Sequence, residues 1–146
     1  MRHSKQQKWQ LTLFCSLTIA YTSLLIGILR FSLDLAKIIF TNAALNTETL
    51  TKLIIYVCIT SSAVSVVRFL KNVDKGFIFD RKNVQPLRWF GWTVTLTGLL
   101  LTLLHTLSDS STQTYIFYLL TGVFINIWSE IFNLGIKLKE EQELTI

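Results

Sequence analysis

Proline occurs once, cysteine twice and histidine twice in this chain of 146 residues, and only 16% of the residues are charged. Each shortage excludes a class. One proline is too few for a proline-rich disordered segment, and two cysteines cannot frame a disulfide scaffold. Soluble domains carry about a quarter charged residues, so an ordinary soluble enzyme is excluded as well. What is abundant is apolar: 51% of residues, with a mean hydropathy of +0.47. The few charges gather in short stretches, and the runs between them are long enough to cross a bilayer. The chain reads as a small integral membrane protein.

A membrane helix needs roughly 20 mostly apolar residues, and lipid admits only helices or closed barrels. Leu11–Leu29 has no charge and ends at Arg30; Leu53–Val67 has none and ends at Arg68. Trp89–Leu107 carries only His105, and Tyr115–Leu134 holds a single acid, Glu130. No strand-like alternation competes. The expectation is an all-α, polytopic four-helix bundle forming a single domain over 1–146. Its spans fall at about 10–29, 50–70, 89–107 and 115–134, with an inner loop at 71–88 and a tail at 135–146. The first run is longer than the usual signal h-region of about 7–15 residues and no A-x-A site follows it, so it reads as an anchor.

Lys and Arg counts orient the spans. With the N-terminus inside, eleven basic residues face the cytoplasm and three (Arg30, Lys37 and Lys52) face out, while the third loop, Ser108–Thr114, has none. Both termini are expected to be cytoplasmic, in a bacterial inner membrane. The net charge of +5 is explained by this distribution, so no direct nucleic-acid partner is expected. Trp9, Trp89, Trp92 and Trp128 fall toward the inner ends and Tyr56, Tyr115 and Tyr118 toward the outer, as an interfacial aromatic belt requires.

Small and polar residues let membrane helices approach. Helix one offers Ser16, Ala20, Ser23 and Gly27; helix two offers Cys58, Ser61, Ser62 and Ser65; helix three offers Gly91, Thr95, Gly98 and Thr102. Helix four carries Asn126, Glu130 and Asn133 at i, i+4, i+7, a polar line on one face. An ionisable group in a span is a functional candidate whose partner should be named. By depth, Arg68 and Arg88 both qualify for Glu130, and a carboxylate snorkelling alone to the interface is the competing reading. His105 lies nearly 20 Å from Glu130 in depth, and Cys15 and Cys58 lie roughly 13 Å apart. A metal site, a disulfide and a hydrolytic triad are therefore all unsupported, and no enzyme activity, metal or cofactor is expected.

Outside the spans, Arg30, Asp34, Lys37 and Thr41 recur opposite Phe31, Leu35, Ile38 and Ile39. This predicts either an amphipathic helix on the outer leaflet or a continuation of helix one, with a turn over 42–51. In the inner loop Asp74-Lys75-Gly76 is a turn signature. The apolar triplet Phe77, Ile78 and Phe79 is expected to tuck under the helices, Asp80 or Asn83 to cap helix three, and Pro86 to occupy its first turn. The tail, after Gly135, reads either as an extension of helix four or as a solvated charged segment.

Val67–Trp92 reads VRFLKNVDKGFIFDRKNVQPLRWFGW, and the chain ends GIKLKEEQELTI. The pattern of Lys75, Gly76, Phe79, Asn83, Leu87 and Gly91, then Gly135, Leu138, Glu141, Leu144, Thr145 and Ile146, resembles the YoaS-like family of small bacterial four-helix membrane proteins, domain of unknown function 2975. The resemblance spans essentially the whole chain and is carried by the inner loop and the tail; Glu143 stands where Asp is expected. It implies four spans and no known enzymology, and some members of that family are encoded beside a small Cro-like helix-turn-helix regulator. It supplies no catalytic residue.

Three functions remain open on the sequence. The first is a non-enzymatic regulator or adaptor docking a cytosolic protein, such as a helix-turn-helix regulator, through the inner loop and tail. The second is an immunity-type protein that binds a membrane-active toxin or peptide at its outer segment. The third is a small channel or transporter built around Glu130 and Asn126, which in a chain this short requires a homo-oligomer.

Overall fold

The computed structural model describes residues 2–41, 46–76, 79–108 and 113–144, excluding the side chains of residues 2–9 and 41. Four helices account for almost all of it: α1 (Arg2–Thr41), α2 (Thr47–Asp74), α3 (Arg81–Leu107) and α4 (Gln113–Leu144). Each contains a segment long and apolar enough to cross a membrane. Of the turn expected over 42–51, residues 42–45 lie outside the described residues and 47–51 are helical, because the Asn46 cap starts α2 at Thr47. The ring of Trp9, Phe77 and Ile78, and the last two residues also lie outside the described residues.

Local chemistry sets the helix ends. No glycine or proline interrupts the chain between Arg30 and Thr41, and α1 continues through that stretch without a break. Asn46 caps α2 by accepting from the Thr49 backbone N–H, and Glu48 pairs with Lys52 one turn on. At the other end α2 runs to Asp74, then the chain turns through Gly76 at φ +86°. Nothing lies within 4 Å of where a Cβ would stand on Gly76, so the backbone conformation, and not a shortage of space, calls for glycine there.

Asp80 is the cap of α3, accepting from the Lys82 N–H at 2.9 Å, so the helix starts at Arg81. Asn83, the alternative cap, is inside the helix and fully buried. Pro86 consequently sits in the second turn, not the first. A proline there cannot donate to the carbonyl four residues back, that of Lys82. The Asn72 side chain of α2 donates to that carbonyl instead, at 3.4 Å. The proline thus frees an acceptor that ties α2 to α3.

Packing is serial. Backbones approach between α1 and α2, α2 and α3, and α3 and α4, all antiparallel, and α1 does not meet α3 or α4 among the described residues. The expected bundle is therefore an open array of helices, not a closed four-cornered one. The base of this array holds Lys75, Gly76, Phe79 and Asp80, the start of α1 and the end of α4. The buried positions explain the layout: Leu13, Ala20 and Gly27 on α1; Thr51, Cys58 and Ser65 on α2; Val84, Gly91 and Gly98 on α3; Gly122, Ser129 and Ile136 on α4. Each set repeats every seven residues, the spacing of a left-handed helix–helix seam. α1 has one such seam and so one neighbour. The rest of its surface, with Phe14, Leu25 and Leu29, is exposed apolar area suited to lipid.

The α3–α4 seam is the tightest. A Cβ added at Gly98 would meet the backbone of Leu119, and one at Gly122 the backbone of Thr95. Along α2–α3 the contacts are polar: Ser62 faces Thr93 at 3.5 Å, and Thr51 faces His105 at 3.0 Å. The Thr51 hydroxyl donates its proton to the Thr47 carbonyl. The His105 ring stacks on Tyr115 at 4.3 Å, joining α4 to the same cluster.

Candidate functional site

The base of the array gathers most of the motif residues. Phe79 stacks on Phe132 of α4 at 5.4 Å, and Phe69 of α2 meets the edge of the same ring at 6.4 Å. The loop, α2 and α4 thus share one aromatic platform. Just above it, the buried Ser129 hydroxyl donates to the Val84 carbonyl at 3.4 Å. Arg81 forms a two-pronged pair with Glu140, at 3.2 and 2.7 Å, linking the start of α3 to the far end of α4. Lys75 is the exposed cap of α2, Asn83 is buried and Leu87 half-buried, and Gly91 packs against Asn126.

Gly135 does not end α4. The helix continues to Leu144, and no atom crowds Gly135. The extension from Gly135 is about 15 Å long at 1.5 Å per residue. It presents Leu138 and Leu144 to solvent, 61% and 88% exposed, among Lys137, Lys139, Glu140, Glu141 and Glu143. Lys139 pairs with Glu143 at 3.6 Å. Phe79 and Leu144, both apolar residues in charged segments, do not bury against each other.

On the polar line of α4, Arg88 donates to Glu130 at 2.6 Å. Arg68 has no part in that pair; it lines a groove between α2 and α3. Asn126 donates to the Thr95 hydroxyl at 3.4 Å, while its buried side-chain oxygen has no hydrogen-bond partner among the described residues. Asn133 lines a cleft with Arg81, Arg88 and Trp92. The polar line therefore faces α3. Both members of the Arg88–Glu130 pair are about half exposed, so their attraction is partly screened and a coupling of about 1 kcal/mol is expected. Arg88→Gln, Glu130→Gln and the double variant, unfolded in mixed detergent, should show that coupling. Additive losses would instead mean that Glu130 reaches the interface alone.

Sequence reasoning singled out neither Phe132 nor the Arg81–Glu140 pair. For the pair the signal is the antiparallel register of α3 and α4: with Gly98 on Leu119, Arg81 falls opposite Ile136 and Glu140 lies one helical turn further on, within reach of the arginine side chain. Among the described residues, no group of three or more His, Cys, Asp or Glu could hold a metal ion.

A chain whose described residues form four helices long and apolar enough to cross a membrane has the architecture of a multi-pass membrane protein. A family model described as "Protein of unknown function (DUF2975)" matches residues 34–146, and the chain belongs to that family. The match starts at Asp34, so it covers less than the whole chain that the resemblance was expected to span, and the apolar run of α1 lies outside it. No curated protein and no solved structure matches the chain.

Proposed function

We propose that this protein is a non-enzymatic membrane regulator or adaptor, with both termini in the cytoplasm, that docks a cytosolic protein on its base. The observation that carries the reading is the helical extension of α4. A helix end that is merely solvated needs only polar residues, yet Leu138 and Leu144 stand exposed on this one. The extension continues α4 without a break, just beyond the Phe132–Phe79 stack, and Glu140 within it meets Arg81 of α3, so a partner would meet a preformed surface and lose less entropy on binding. The excess of Lys and Arg at the base supports a cytoplasmic orientation. A helix-turn-helix regulator is one partner of the right kind, and a second copy of the chain is another.

The test is a photo-crosslinking residue placed at Leu144 in living cells, with a second at Thr47 near the opposite end of the array. Leu144 should yield one discrete adduct, reduced at least tenfold by Leu138→Ala and unchanged by deletion of residues 42–47. A cysteine at Leu144, in a background lacking Cys15 and Cys58, should resist an impermeant maleimide in intact cells. An adduct confined to Thr47, or a reactive cysteine at Leu144, would overturn the reading in favour of a toxin-binding immunity protein.

A further inference from the structure

The docking reading leaves unused a groove of about 580 Å³ between the lower halves of α2 and α3, large enough for a small ligand. Arg68, Lys71 and Lys75 border it from α2 and Lys82 from α3, and no acidic side chain lines it among the described residues. Asp80, the nearest acid before Lys82, accepts from the Lys82 backbone N–H as the α3 cap, and Asp74, at the end of α2, is not among the lining residues. The three cations of α2 follow at i, i+3 and i+7, stacked on one helix face over about 10 Å. Like charges at that spacing repel one another, and no carboxylate in the groove offsets them.

The surroundings point to the ligand. Trp89 of α3 forms part of the wall and is 60% exposed. The Lys71 ammonium lies 5.6 Å from the centre of the Tyr21 ring on α1, within cation–π range. Exposed aromatics and cations at one level of membrane-length helices mark the headgroup region. Above the cations the α2 wall is Ser61, Val64 and Ser65, inside the uncharged run of that helix. A charged lower end of a groove that opens between two membrane-length helices matches a molecule with an anionic head and chains that lie in the bilayer alongside.

We infer that the α2–α3 groove binds the phosphate-bearing headgroup of an anionic phospholipid, with Arg68, Lys71 and Lys75 on the phosphate oxygens and Trp89 beside the glycerol and upper acyl chains. Three cations on one helix face suit a headgroup with two phosphates, as in cardiolipin, better than one with a single phosphate. The assignment requires only that the helices sit in a bilayer, and it stands whether or not the base docks a protein.

The experiment uses the full chain in neutral detergent, with bound lipid counted by native mass spectrometry. Cardiolipin, phosphatidylglycerol, phosphatidylcholine and soluble glycerol 3-phosphate are titrated in parallel. Cardiolipin and phosphatidylglycerol should bind at least tenfold more tightly than phosphatidylcholine, and more weakly as salt rises. Lys75→Gln should weaken cardiolipin about fivefold, and further Lys or Arg to Gln changes in the groove about fivefold each. The pair Lys137→Gln and Lys139→Gln, outside the groove, should bind as the unaltered chain does. Lys75 is exposed at a helix cap, so its variant keeps the test valid if the multiple variant fails to fold. Equal binding of all three lipids, or undiminished binding by Lys75→Gln and the multiple variant, would overturn the site. Glycerol 3-phosphate binding as tightly as cardiolipin would overturn the lipid assignment and identify a soluble phosphate ligand.

Discussion

Replacing Gly98 or Gly122 with leucine should be the most damaging single change in the protein, costing about 3 kcal/mol or more at either position. The reason is what the new side chain would strike. At Gly98 the first added carbon meets the backbone nitrogen and Cα of Leu119, and at Gly122 those of Thr95. Backbone atoms in a membrane-length helix cannot turn aside as a side chain can, so α3 and α4 must separate along the whole seam. Gly91 offers an internal comparison. The nearest atoms there belong to the Asn126 side chain, although the Asn126 backbone nitrogen is only 3.0 Å away, so Gly91→Ala should be the milder change. Gly135 is the opposite extreme: nothing lies near it, and Gly135→Ala should stabilise α4 by up to about 1 kcal/mol through helix propensity. Unfolding in mixed detergent, followed by circular dichroism, ranks the four. A Gly98→Leu variant as stable as the unaltered chain would show that α3 and α4 do not pack in this register.

Phe132→Ala should release the base, with a loss of about 2–4 kcal/mol. The ring is half-buried and serves two partners at once, so its removal costs apolar contact plus two aromatic pairs. The Arg81–Glu140 pair spans the same gap, but both side chains are solvent-exposed, and exposed pairs contribute little. Glu140→Gln should therefore leave the melting temperature nearly unchanged where Phe132→Ala lowers it clearly. Limited proteolysis with a lysine-specific protease provides a second readout, since Lys75 and Lys82 flank the loop. Cleavage there should accelerate in Phe132→Ala and stay slow in Glu140→Gln. The reverse order would mean that charge, and not ring stacking, holds the loop to α4.

The number and kind of helices were legible in the residues themselves. Charge-free runs of membrane length leave the backbone no partners but its own, so helix follows from composition alone. The resemblance to domain of unknown function 2975 was legible as well, because it rests on short residue patterns around Gly76 and Leu138, and the family match agrees with it. Helix ends were harder to read. The choice between Asp80 and Asn83 as cap depended on which of them the packing would bury, and Asn83 is the buried one. The pairing of Glu130 was open for a related reason. Sequence assigns depth, which Arg68 and Arg88 nearly share, whereas a contact also depends on the direction in which each helix face points. Only the packing of α3 on α4 supplies that direction, and it places Arg88 on Glu130 while turning Arg68 into the α2–α3 groove. The groove is likewise a property of two helices together: its cations stand on one face of α2 and its Trp89 wall on α3, and they share one cleft because α2 and α3 run antiparallel. The serial layout was also decided in three dimensions. Small residues on α1 announce that it packs, but their repeat every seven positions along a single stripe limits it to one neighbour and leaves the array open.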